Sequence, residues 1–237
     1  MSAASEVTVS RRRVAAGVAG ALPLVALAIV VTVVERPFAP RRVPAPAPRR
    51  AAVAIRDDVI PFQKWGTHTF TLPYLEDGYQ SVAYFTETRA DDRRDAFLAA
   101  IREAAASNDE VDVFLLAHGN QFVQWVGSLD PAVTGKLRLV YNTGCGDASQ
   151  SARWLAMGAD AYVGHVGESE SPIFYVYFLR RWNAGWPLDA AVEDANGETA
   201  RVLGLLAYVG VPRERVAEMI EGSRAVRVGA GDLRLAG

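Results

Sequence analysis

The chain has 237 residues, 50% of them hydrophobic and 22% charged, with a formal net charge of −2. That balance excludes a disordered or collagen-like chain, and without a Lys/Arg cluster in its folded part it gives nucleic acid no phosphate-binding surface. The single cysteine, Cys145, excludes an intramolecular disulfide and any multi-cysteine metal centre, and a lone thiol acting as a nucleophile needs neither a metal nor an organic cofactor.

In chain order, residues 1–13 form a short tail ending in Arg11, Arg12 and Arg13. Residues 14–34 then run uncharged for 21 positions of mostly Ala, Val and Leu, long enough to cross a hydrocarbon core as a helix. A cleaved secretory signal is the alternative, but its apolar region should be shorter, and the small-x-small site at Ala45 and Ala47 is followed by Pro48. A retained single-pass anchor is therefore expected. Arginines flank both ends, and the reading leans toward a domain outside the cytoplasm. Residues 35–52, largely Pro, Ala and Arg without apolar periodicity, read as an extended tether. One domain is expected over 53–237.

Within that domain, residues 59–75 are rich in aromatics and Thr and predict a strand or hairpin at one side of the sheet. Residues 81–86 predict a strand and 89–107 a helix with an apolar stripe through Phe97, Ile101, Ala104 and Ala105. The nearly continuous apolar run 111–117 is the mark of a strand buried on both faces, and it ends at His118-Gly119. A short strand over 121–126 precedes another over 137–141, which ends at Asn142-Thr143-Gly144-Cys145-Gly146. Asp147 and Gln150 have capping-box spacing, with Asp147 as N-cap of a helix that stops at Gly158. A strand over 161–164, helices over 173–183, 188–207 and 212–220, and a hairpin joining 225–228 to 233–235 complete the chain. Strands alternating with helices predict an α/β fold: a mostly parallel sheet with helices on both faces.

In open parallel sheets reactive side chains collect at the carboxyl ends of strands. Two strands here end in such residues, His118 and Cys145. If those strands are neighbours, imidazole and thiol share one edge, which is what nucleophilic catalysis by a thiol requires. A helix starting at Asp147 would favour the thiolate through its dipole. Gly144 and Gly146 let the backbone turn sharply beside the sulfur, and the amides of Gly119 and Cys145 are candidate oxyanion donors. Gly144, Gly146, Asp147, Glu168 and Glu170 are candidate pocket residues, the two glutamates as selectors of a basic substrate side chain. The simpler reading of Glu168 and Glu170 is as solvated carboxylates opening a helix at Pro172. His165 is a rival base, while His68 and Asp112 receive no catalytic role.

A hydrophobic strand ending in His118-Gly119, followed by one ending in Gly144-Cys145-Gly146, resembles the caspase-like cysteine peptidases, which include caspases, metacaspases, gingipains and CHAT domains. The helix ending in Trp154-Leu155-Ala156-Met157-Gly158-Ala159, the strand Tyr162-Val163-Gly164 and the helix 174–182 followed by Gly185-Trp186-Pro187-Leu188 resemble the CHAT pattern and extend the resemblance over residues 81–207. It implies a three-layer sandwich and a thiol protease that cleaves polypeptides through an acyl-enzyme, with Cys145 as nucleophile and His118 as base and then acid. The residues around Cys145 depart from the caspase Gln-Ala-Cys-x-Gly, and 27 positions separate it from His118 where caspases have about 50, so cleavage after aspartate is not implied. An inactive domain of the same fold, serving as a membrane-tethered scaffold, is the alternative. A nucleotide- or flavin-binding protein is disfavoured, because no Gly-rich phosphate loop follows a strand.

Overall fold

A computed structural model describes residues 49–57, 68, 71–87, 93–119 and 121–235. The expected tail, anchor and nearly all of the tether lie outside those residues. Among the described residues no helix is long and apolar enough to cross a membrane.

Six strands form one sheet: β1 (Arg50–Asp57), β2 (Ser81–Glu87), β3 (Glu110–Leu116), β4 (Leu137–Asn142), β5 (Ala161–His165) and β6 (Ala225–Gly229). Their order is β2-β1-β3-β4-β5-β6. All neighbours pair in parallel except β5 and β6, which are antiparallel. Among the described residues, eight α-helices accompany them: α1 (Leu72–Gly78), α2 (Arg94–Ser107), α3 (Phe122–Val126), α4 (Pro131–Thr134), α5 (Ser151–Ala156), α6 (Ser171–Asn183), α7 (Leu188–Gly204) and α8 (Arg213–Ser223). Side chains alternate across a strand, so each inner strand feeds two cores. Ala52, Phe114, Leu139 and Val163 pack with α1, α6, α7 and α8 on one face. Val53, Val113, Val140 and Tyr162 pack with α2, α3 and α5 on the other. The result is the expected three-layer α/β architecture with a mostly parallel sheet.

The local differences from expectation have identifiable causes. β1 begins at Arg50, so residues 50–52, expected to be tether, belong to the sheet. Its alanines have weak strand propensity, but β1 lies between β2 and β3 and Ala51 through Ile55 are all buried, so packing overrides propensity. The strand or hairpin expected over 59–75 does not form at its described end, where Leu72–Gly78 is helical with Pro73 in the first turn. Residues 122–126 are a helix rather than a strand; Phe122, Val123 and Val126 are buried, a one-sided spacing that suits a helical turn. No hairpin joins 225–228 to 233–235. Instead β6 pairs with β5, and the tail crosses to α7, where Leu188 N–H donates to the Leu233 carbonyl at 2.8 Å.

The pairing of β3 with β4 decides what the carboxyl edge presents. Val111 pairs with Leu137 but Asp112 with Leu139, which leaves Arg138 as an extra residue, a bulge that shifts everything beyond it by one position. The shift is visible in the packing: Leu137 and Leu139, two apart, enter opposite cores. Arg138 turns to Asp112, donating from Nε to Oδ1 at 2.9 Å and from Nη2 to Oδ2, and its guanidinium lies 5.2 Å from the Trp182 ring centroid. Tyr79 Oη donates to Asp112 Oδ2 at 2.5 Å, and Leu139 N–H donates to Oδ1 at 3.2 Å. Asp112, given no role by sequence, is thus the hub of a buried polar cluster.

Candidate active site

Beyond the bulge, Leu115 of β3 pairs with Asn142 of β4. His118 lies three residues past the first, Cys145 three past the second, so matched register delivers both to one edge. They line a single cleft together with Leu116, Ala117, Thr143, Ser169, Ser171 and Tyr175. Cys145 is exposed and His118 half-buried, so the sulfur is accessible rather than sealed beneath neighbours.

Hydrogen bonds hold the cysteine loop from several sides. Asn142 Oδ1 accepts from Gly144 N–H at 3.1 Å, and Thr143 Oγ1 donates to the Leu115 carbonyl at 3.2 Å. Gly146 N–H donates to the Gly167 carbonyl at 3.2 Å. Gly146 sits at φ +70° and Gly119 at φ +96°, left-handed conformations that favour glycine on either side of the cleft. The Gln121 side chain rests against Gly119 where a Cβ would stand, and its amide donates to the His118 carbonyl at 3.5 Å.

Other candidates take different positions. The capping box does not form: Asp147–Gln150 is a four-residue 3₁₀ turn whose N-cap is Gly146, and the α-helix starts only at Ser151 and runs six residues. The aligned peptides beyond Cys145 are few, so the dipole contribution expected at the sulfur is small. Gln150 does reach back, but Nε2 donates to the Asp147 Oδ1 carboxylate oxygen at 2.6 Å rather than leaving that carboxylate to cap the helix. Asp147 is buried beneath Gly144 rather than lining the cleft. Glu168 points to solvent, 3.7 Å from Arg215, with its side chain 84% exposed. Neither Glu168 nor Glu170 lines the cleft; Ser169 and Ser171 do. His165 is buried, Nδ1 donating to the Ser223 carbonyl at 2.7 Å while Nε2 accepts from Tyr141 Oη at 3.1 Å. Burial lowers its pKa to about 4 against the opposing Ser223 carbonyl, so it is a neutral structural group. His68 is exposed, with its ring 6.4 Å from that of Tyr84.

The sequence reading missed Thr143, Ser169, Ser171 and Tyr175. Ser169 and Ser171 alternate with the two glutamates, the period of an extended segment, and Tyr175 follows Ser171 by one helical turn. The strap that carries the serines is pinned from behind. Val166 N–H donates to the Arg224 carbonyl at 3.1 Å, Gly167 N–H to the Gly222 carbonyl at 3.0 Å, and Glu170 N–H to Ser223 Oγ at 2.9 Å.

Burial pushes the Asp147 carboxyl up to about 6, with the amides of Asn142 and Gln150 opposing, and Oδ2 meets no donor at hydrogen-bonding geometry. A carboxyl raised on folding stabilises the fold most below its unfolded value, and that stability is lost as pH rises through about 6. Asp147→Asn, which does not titrate, is therefore expected to gain melting temperature relative to the parent between pH 4 and pH 7. Comparing the two chains at each pH cancels the opposite titration of His165. A flat difference across that range would contradict the assignment.

No family model matches the chain, and no curated protein matches it. Among solved structures, a crystal structure of drICE, a caspase, aligns at 13% identity over 82% of this chain and 94% of that one, with a TM-score of 0.38.

Proposed function

We propose that the chain is a caspase-like cysteine peptidase anchored in a membrane by residues 14–34, with its α/β domain outside the cytoplasm. The observation that carries the chemistry is the matched register of β3 and β4, which puts His118 and the exposed Cys145 in one cleft. The anchor is supported by the 21 uncharged residues between Arg13 and Glu35.

The imidazole of His118 takes the thiol proton, and the sulfur attacks the scissile carbonyl carbon. An S–C bond forms while the carbonyl π pair moves to oxygen, where the amides of Gly119 and Cys145 receive the developing charge. The C–N bond then breaks as the imidazolium gives its proton to the leaving amine, which leaves a thioester on Cys145. Water, deprotonated by the same imidazole, attacks that thioester. The carboxylic acid departs and the thiol regains its proton.

A peptidyl acyloxymethyl ketone should label Cys145 stoichiometrically, and His118→Ala should slow labelling at least about a hundredfold. Equal labelling in the two chains would reduce Cys145 to an accessible thiol and favour the tethered scaffold instead.

A further inference from the structure

We propose that Asp147 is a positioning residue for the nucleophile: its carboxyl, lodged beneath Gly144, holds the turn that presents the Cys145 sulfur and amide to the cleft. This inference rests on the peptidase reading and says how that site is held and at what acidity. The carboxyl stands where Gly144 would carry a Cβ, and Asn142 Oδ1 lies 3.4 Å from the same point. Gly144 is not in the left-handed region, so its bare Cα answers to the carboxyl and not to the backbone. Asp147 N–H donates to the Gly144 carbonyl at 3.3 Å and Gly144 N–H to Asn142 Oδ1 at 3.1 Å, which closes a turn with Cys145 inside it. Behind that turn, Tyr162 Oη donates to the Asp147 carbonyl and Gln150 Nε2 to Asp147 Oδ1, each at 2.6 Å.

The neutral acid suits this place better than the carboxylate. Asp147 Oδ2 and Asn142 Nδ2 are both buried, and neither has a partner at hydrogen-bonding geometry. An ionised Oδ2 is a buried charge without a donor, whereas a protonated one is itself a donor beside Asn142 Oδ1, which keeps a lone pair after accepting from Gly144 N–H. Once ionised, Oδ2 draws the Asn142 Nδ2, and turning that amide moves Oδ1 off the Gly144 N–H. The charge also opposes the negative charge that gathers on sulfur before attack. Among the described residues no cation offsets it. β5 presents the Tyr162 phenol, which burial and then Asp147 raise well above its usual value; α5 carries one charge, Arg153, which is exposed; the strap carries Glu168, in solvent, and Glu170, whose carboxyl burial raises. Burial pushes Asp147 up to about 6, so its hold on the turn is lost as pH rises through that value.

The test is the rate at which a peptidyl acyloxymethyl ketone labels Cys145 in the 237-residue chain and in Asp147→Asn, from about pH 4.5 to about pH 7.5, at a temperature where circular dichroism shows both folded. Asn keeps the shape and the acceptor for Gln150 but does not titrate. The ratio of the Asn variant to the parent should rise at least about fivefold across that range, centred near pH 6. The other titrating groups are common to both chains and cancel in the ratio. A role in stability alone leaves the ratio flat, and a flat ratio would overturn the inference while leaving the peptidase standing. Gly144→Ala, whose methyl takes the carboxyl's place, should slow labelling at least about tenfold. Adding Asp147→Ala, which frees that place for the methyl, should recover most of the loss. A double variant no faster than Gly144→Ala alone would overturn the inference too. If the parent is not labelled at Cys145 at any pH, the peptidase reading falls and the inference falls with it.

Discussion

Replacing Cys145 by Ala should lower kcat/KM for peptide hydrolysis at least about a thousandfold, because the hydroxyls that also line the cleft are far weaker nucleophiles than a thiolate. His118→Ala should cost about a hundredfold to ten-thousandfold, the usual range for a lost proton-transfer group. Both side chains sit at the surface of the cleft, and Cys145 is exposed, so the melting temperature should move by no more than about 2 °C in either variant. The decisive quantity is the double variant. Two residues acting on one bond as a unit give non-additive losses, so Cys145→Ala with His118→Ala should be no slower than Cys145→Ala alone. Losses that multiply would mean that the two residues act separately, and the dyad would have to be abandoned.

The largest stability effect is expected at the other end of the same strands. Arg138 and Asp112 have side chains only 2% and 1% exposed, and each is the other's ionic partner. Glu110 Oε2, on a side chain 31% exposed, stays 3.5 Å from Arg138 when Asp112 is lost, but the guanidinium loses its buried partner at a cost of about 3–5 kcal/mol, whereas replacing both members of the pair by apolar groups of similar size is close to neutral. Asp112→Ala should therefore lower the melting temperature by about 6–20 °C for a domain of this size. Asp112→Leu combined with Arg138→Met should recover most of that loss in urea denaturation. Activity should not recover in parallel. The Arg138–Asp112 contact fixes the bulge, and the bulge fixes which β4 residue reaches the edge opposite His118. If the bulge relaxed to a regular ladder, Leu115 would face Tyr141 instead of Asn142, and Cys145 would fall out of step by one residue, toward the opposite face. A double variant as active as the parent would show that register does not depend on this pair. A single variant as stable as the parent would contradict its burial.

The two ends of β3 and β4 also show what the sequence could and could not disclose. The carboxyl ends were legible, because buried strands stopping at His118-Gly119 and Cys145-Gly146 are a local pattern, whereas their adjacency was only a condition that the strand order then met. The bulge was not. Arg138 within Leu137–Tyr141 and Asp112 within Val111–Ala117 are charges in apolar strands, and only their pairing across the sheet turns two anomalies into one hub. β1 was hidden for a related reason: Ala-rich strands are made by burial between neighbours rather than by propensity. The cleft wall was read on the wrong phase. Attention went to the charges of Glu168 and Glu170, yet the strap's bonds to the α8–β6 corner and the start of α6 at Ser171 leave Ser169 and Ser171, not the glutamates, lining the cleft. The helix after Cys145 was expected one turn too early, since a left-handed Gly146 opens a 3₁₀ turn before α-helical geometry is reached.

The central claim is that the Cys145 sulfur becomes bonded to the acyl half of a substrate while His118 moves the protons. Acid-quenching a peptide or activated-ester reaction within the first turnovers and measuring the mass of the Cys145-bearing fragment tests it most directly. That fragment should carry the added mass of the acyl group, and the adduct should be absent in Cys145→Ala and slower to form in His118→Ala. Substrate turnover with no adduct at Cys145, persisting when Cys145 is replaced, would contradict the account.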